Sequence, residues 1–179
     1  MKLQALKWAN NYNSSHLVNN QKQEDPYANS PFLGLKSLSS RTKGAIFEKI
    51  VEEKLVEEGY CVASPKSSEY DRLVNGKRVE IKGSFLWGTS SYFKWQQLRP
   101  EQSYDYAIFL AVYPDRIDFF GATKKDIDSY VLQKDSCGNF RHAQHGGNKG
   151  VSPNTFLISG SPSDHKGLLT PLSTFLKGI

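Results

Sequence analysis

Glu69-Tyr70-Asp71-Arg72-Leu73-Val74-Asn75-Gly76-Lys77-Arg78-Val79-Glu80-Ile81-Lys82 reads as two strands around a tight turn. Asn-Gly between two β-prone runs is the strongest short hairpin signal, because a two-residue type I′ turn needs positive φ at both positions. A two-residue turn also fixes the register. Val74 faces Lys77, Leu73 faces Arg78, Arg72 faces Val79, Asp71 faces Glu80, and Glu69 falls opposite Lys82. Directly opposed side chains have Cβ atoms ~4.5–5.5 Å apart, and two like charges so placed destabilise a sheet unless a positive group lies between them. With a period of two, Lys82 shares the face of Glu80, whereas Val79 and Ile81 point to the other, buried face.

Two carboxylates and an ammonium gathered by one turn suit phosphodiester hydrolysis. Hard carboxylate oxygens hold Mg²⁺, the metal polarises the phosphoryl oxygen and acidifies a water, and the lysine orients that water or steadies developing charge. The plain structural reading of an isolated Glu-x-Lys is a solvent-side ion pair, with Arg72, Arg78 or Lys77 neutralising Asp71.

The flanking segments supply the context. Ser39-Ser40-Arg41-Thr42 precedes Ile46, Phe47, Ile50, Val51 and Leu55 at helical spacing, and the run closes at Gly59. Glu48 lies at the edge of that apolar stripe. Tyr60–Ala63 reads as a strand, and a helix or loop is expected around Trp95-Gln96-Gln97. The uninterrupted Tyr106–Val112 reads as a central strand covered on both faces. Tyr113-Pro114-Asp115 turns it into a strand at 116–120, and Thr123-Lys124-Lys125-Asp126 has the form of a capping box opening a short helix to about Leu132. Phe156-Leu157-Ile158 reads as a last strand and Leu168–Leu176 as a terminal helix interrupted by Pro171. The first 38 residues, rich in Asn, Ser and Gln, read as an arm that packs on the domain or on a second subunit, outside the core.

With Glu48 in the first helix, Asp71 in the second strand and Glu80-Ile81-Lys82 in the third, residues of about 40–112 resemble the PD-(D/E)xK nuclease superfamily. Glu69-Tyr70 stands where that family has a proline before the aspartate, and the segment between Phe85 and Tyr104 is short for its second helix. The resemblance implies an α/β, restriction-endonuclease-like core, a mixed central sheet flanked by helices in the order αβββαβ. It also implies that Asp71, Glu80 and the Ile81 carbonyl bind Mg²⁺, that Lys82 works on the attacking water, and that Glu48 binds a second metal or tunes the first. The function so implied is a type II restriction endonuclease acting on double-stranded DNA. The alternatives are a repair or Holliday-junction nuclease, a non-catalytic DNA-binding module on the same scaffold, and a basic ribonuclease or RNA-binding protein. One nuclease domain spans 39–179 on this reading, with its recognition and C-terminal part at about 123–179. Cutting two strands with one site per subunit implies a homodimer, with the arm or the Trp87–Trp95 aromatics at its interface.

Composition agrees with a folded DNA-binding chain. Of the 179 residues 38% are hydrophobic and 12% aromatic, and the net charge is +5, enough apolar material for one packed domain without metal or disulfide staples. The basic excess lies in 1–43 and 123–179, flanking a mildly acidic middle, as suits flanks that hold a polyanion and central carboxylates that hold cations. No apolar run approaches the ~20 residues of a membrane helix and no secretory leader is apparent, so a soluble, cytoplasmic protein is expected. Cys61 and Cys137 are expected as free thiols. No phosphate-binding loop or dinucleotide fingerprint occurs, so no small-molecule cofactor is expected. The polar run holding Arg141, His142, Gln144, His145, Asn148 and Lys149 is the candidate recognition loop, with a solvated surface loop as the plain alternative. Lys94, Gln96 and Gln97 follow the catalytic strand closely enough to touch DNA. Cys137, His142 and His145 lack a fourth zinc ligand.

Overall fold

A computed structural model describes residues 25–87, 92–144 and 155–178. In chain order the elements are α1 (Leu33–Ser37), α2 (Ser40–Glu57), β1 (Val62–Ala63), β2 (Arg72–Val74), β3 (Lys77–Phe85), β4 (Phe93–Leu98), β5 (Tyr106–Val112), β6 (Ile117–Thr123), α3 (Lys124–Val131), β7 (Phe156–Gly160), a 3₁₀ turn (Pro162–His165), β8 (Thr170–Pro171) and α4 (Leu172–Phe175). Six strands form a mixed sheet in the order β1-β2-β3-β5-β6-β8, and β4 pairs with β7 in a second, two-stranded sheet. Within the large sheet β3 and β5 run parallel and the other neighbours antiparallel.

β5 is buried along its whole length, as its continuous apolar run requires. Its alternate residues feed two cores. Tyr106, Ile108, Leu110 and Val112 pack with Ile46, Phe47, Ile50 and Val51 of α2, while Ala107, Phe109 and Ala111 pack with Phe93 and Trp95 of β4 and Ile127 of α3. α2 begins where Ser39 accepts a hydrogen bond from the Thr42 N–H at 3.2 Å, satisfying one of the free N–H groups of the first turn. α3 begins at Thr123, which accepts from the Asp126 N–H while its hydroxyl donates to the Asp126 carboxylate.

Gly83 sets the spacing between α2 and β3. A Cβ there would lie inside the Phe47 ring, which is itself buried. Gly83→Ala should therefore destabilise the fold by ~1–3 kcal/mol, the usual cost of overpacking, with α2 pushed off the sheet. Urea denaturation checks this; an unchanged midpoint would show that Phe47 yields freely.

Several expectations are corrected. No helix separates β3 from β5 among the described residues, so the αβββαβ order fails at its second helix. Phe93 and Trp95 alternate with Lys94 and Gln96, and the two aromatics are fully buried as a strand, with the Trp95 indole N–H donating to the Leu110 carbonyl at 2.9 Å. Trp95 is thus core and is not available to a dimer interface. The part of the arm from residue 25 belongs to the core as well: Tyr27, Phe32 and Leu35 are buried against α2 and the sheet. The Tyr27 hydroxyl donates to the Val112 carbonyl and accepts from the Leu86 N–H, and burial pushes its pKa up to about 12. The chain end divides into β8, paired with β6, and the short α4, because Pro171 ends one element and leads into the next. The last predicted strand exists as β7, on β4 and not on the main sheet.

Candidate active site

The hairpin forms as its sequence dictates. Asn75 and Gly76 both have positive φ, 48° and 82°, and the pairs Val74–Lys77, Leu73–Arg78 and Arg72–Val79 are in register. The next pair departs from the expected ladder. The Asp71 N–H donates to the Val79 carbonyl at 2.9 Å, one residue short of Glu80, and the Asp71 carboxylate accepts from the Ile81 N–H at 2.7 Å. Asp71 thus ends the pairing of β2 with β3 and caps the strand edge with its side chain. N–H and C=O of one strand residue project from the same edge, so the Ile81 carbonyl lies on the edge that Asp71 occupies.

Glu80 and Lys82 share a face, as the period of two predicts, and Lys82 Nζ lies 2.5 Å from Glu80 Oε1. That face is not open. β4 and β7 cover it, leaving Glu80 only 2% exposed, and the Lys82 side chain retains 18% of its surface. Glu80 stands beside Ala107 in the parallel register, and no hydrogen bond reaches its second oxygen, Oε2, although that atom is buried. Burial raises the Glu80 pKa, the Lys82 ammonium counters it, and the Asp71 charge adds to the rise. Arg99 and Tyr104, on the segment just after β4, also carry buried polar atoms without partners and interact electrostatically with Glu80, so Glu80 looks into a polar interior.

Glu48 reaches the same region from α2, where Arg72 holds it. Arg72 donates from Nη1 to Glu48 at 2.7 Å and to the Asp71 carbonyl at 2.7 Å, and from Nε to Glu52 at 3.0 Å. Burial, then the nearby Asp71 charge, raises the Glu48 pKa against the pull of Arg72. The guanidinium therefore answers two helix carboxylates and not the Asp71 carboxylate. Arg78 serves Asp105, and Glu69 accepts from the Ser103 N–H instead of facing Lys82.

No three His, Cys, Asp or Glu side chains come together as a metal cluster among the described residues. The donor set nevertheless fits Mg²⁺, which keeps several waters and is commonly held by one or two carboxylates. Asp71, the orphaned Oε2 of Glu80 and the carbonyl edge at Ile81 are all hard oxygen donors, and a buried carboxylate oxygen without a partner is costly unless something positive meets it.

Beyond Arg72 the free edge of β3 opens into a cleft of about 510 Å³ between α2 and β4. Lys36, Lys43, Lys82 and Lys94 line it, and no carboxylate does. Lys36 and Lys43 were not singled out in the sequence. Lys36 lies on α1 and Lys43 on the first turn of α2, and no periodicity announces that the two meet at the cleft.

The recognition candidates fall apart in part. His145, Asn148 and Lys149 lie outside the described residues. Arg141 is exposed. His142 stacks on Tyr130 with centroids 4.1 Å apart, and burial lowers its pKa. Gln144 Oε1 accepts from the Gln97 N–H at 2.8 Å, so this oxygen supports β4 where Gln97 takes a positive φ of 60°. Gln96, Gln97 and Lys94 all border the cleft. Cys61 and Cys137 are free and exposed, and among the described residues no helix is long and apolar enough to cross a membrane.

No family model matches the chain and no curated protein matches it. Among solved structures it is similar to the bacterial homing endonuclease I-Ssp6803I, with 15% identity and a TM-score of 0.44 over 62% of this chain and 86% of that one.

Proposed function

We propose that the chain is a Mg²⁺-dependent endonuclease that hydrolyses phosphodiester bonds of DNA. The observation that carries this reading is the buried Glu80 carboxylate. One oxygen is bound to Lys82 and the other is buried without a partner, and Lys82 itself lines a cleft whose ionisable side chains are all lysines. Asp71, Glu80 and the Ile81 carbonyl would hold the metal, with Glu48 tuning the site through Arg72. Mg²⁺ bound there supplies Lewis-acid polarisation of the phosphoryl group and a water of lowered pKa. The chain does the rest. Lysines of the cleft draw in the phosphate backbone, and an incoming phosphate competes with Glu80 for the Lys82 ammonium. Lys82, so engaged, donates to the charge that develops on the phosphoryl oxygens.

A type II restriction enzyme, homodimeric on a palindromic duplex, is the form of this activity that the sequence resemblance favours. A nuclease for unpaired or branched DNA is the second form, and the exposed Trp87 indole beside the lysines of the cleft favours it. Supercoiled plasmid incubated with the protein and Mg²⁺ separates them: discrete fragments mark site-specific duplex cleavage. Nicking or degradation confined to single-stranded or branched substrates marks the second form. Intact DNA of every kind at saturating protein would defeat the nuclease reading.

A further inference from the structure

We infer that the cleft beside Lys82 takes a single unpaired DNA strand, with a phosphate on Lys43 and one base stacked on Trp87. This deepens the nuclease reading and rests on it for the direction in which the strand runs toward Glu80.

The bases decide first between strand and duplex. The open cleft of about 510 Å³ takes a nucleotide and its phosphate, and a base can lie on an aromatic side chain there only if its face is free, as it is in an unpaired strand and is not within a stacked duplex. Charge decides next. All four ionisable side chains on the cleft walls are lysines; Lys36 pairs with Asp25 at 2.6 Å and Lys82 with Glu80, while the other two make no ion pair with a carboxylate among the described residues. Lys43 donates to the Lys36 carbonyl at 3.3 Å, and Lys94 lies over the Trp87 and Tyr92 rings. Burial and the neighbouring Lys36 ammonium lower the Lys43 pKa, the condition an arriving phosphate relieves.

Trp87 supplies the remaining group. It is 46% exposed, unlike Trp95, which is wholly core, and it stands on the cleft wall with the Lys94 ammonium 4.3 Å from its ring centroid. A ring has two faces, and the ammonium takes one. An exposed indole beside a row of cations is the combination by which proteins hold a single strand without reading its sequence, one base on the ring and the backbone on the charges.

The test uses the full chain in EDTA, so that binding is read without cleavage. Labelled twelve-residue oligothymidylate should bind at least tenfold more tightly than the twelve-base-pair blunt duplex by fluorescence anisotropy. Trp87→Ala should weaken single-strand binding about tenfold or more, and Trp87→Phe should restore most of it. Lys43→Gln should reduce the slope of log affinity against log salt by about 0.7. Equal affinity for strand and duplex would overturn the inference, as would unchanged binding by Trp87→Ala. Tighter binding of oligouridylate than of oligothymidylate would assign the cleft to RNA and overturn it likewise. A chain that binds through Trp87 and never cuts fails the nuclease reading alone; one that cuts and ignores Trp87 fails this inference alone.

Discussion

Lys82→Met should lose Mg²⁺-dependent cleavage by ~10²–10⁴-fold, the range that a positioned proton-transferring or charge-stabilising group supplies, and should also destabilise the fold by ~3–5 kcal/mol. The second effect follows from burial. Glu80 is 2% exposed, and removing the ammonium 2.5 Å away leaves a buried carboxylate with only the Arg99 charge to offset it. Glu80→Gln should cost less stability, because the Lys82 side chain keeps part of its surface in the cleft and can turn to water. The double variant Glu80→Gln/Lys82→Met should recover most of what Lys82→Met loses in stability and none of what it loses in cleavage. Urea melts and plasmid nicking on the four chains give both cycles. Strictly additive stabilities would show that the pair is not coupled, and cleavage at the parental rate by the double variant would remove the site from the chemistry.

The hairpin, α2, β5, β6 and α3 were legible because each is dictated locally. A turn needing two positive φ values, a Ser or Thr cap, or an unbroken apolar run specifies its element without help from distant residues. Other parts depend on contacts that no short window contains. The segment holding Tyr27, Phe32 and Leu35 reads as turn material, and it is core because the Tyr27 hydroxyl spans the ends of two strands. β4 offers only the Phe93 and Trp95 alternation before Gln96-Gln97, where the backbone leaves the strand region with a positive φ that Gln144 supports from 47 residues away. Register arithmetic assumes a regular ladder. It therefore placed Asp71 opposite Glu80 and missed that an aspartate, able to accept from an N–H with its own side chain, takes the Ile81 donor and stops the ladder there. The same event frees the edge of β3 and lets the cleft form. Likewise the pairing of residues at period two put Glu80 and Lys82 on one face correctly, but the covering of that face by β4 and β7 is a tertiary fact.

Because Asp71 serves as both edge cap and candidate metal ligand, two substitutions should separate its roles. Asparagine keeps an oxygen that accepts from the Ile81 N–H, now 2.7 Å from the carboxylate, so Asp71→Asn should fold with parental stability in EDTA. Alanine leaves that N–H on a partly buried edge without its acceptor, and Asp71→Ala should lose ~1–3 kcal/mol. In Mg²⁺ the two should behave alike. The parental chain gains stability as RT ln(1 + [L]/Kd), about 2.7 kcal/mol when the ion stands at a hundred times its Kd, and both variants should forfeit that gain together with cleavage, since each lacks the charge that holds a hard cation. Ca²⁺ should reproduce the stabilisation of the parental chain without supporting efficient cutting, because its larger and looser oxygen shell occupies the carboxylates without ordering the attacking water. Thermal melts in EDTA, Mg²⁺ and Ca²⁺ read the binding, and plasmid cleavage reads the chemistry. An Asp71→Asn chain that keeps its Mg²⁺ shift and cuts at the parental rate would move the metal away from this strand edge, leaving Asp71 the structural cap alone.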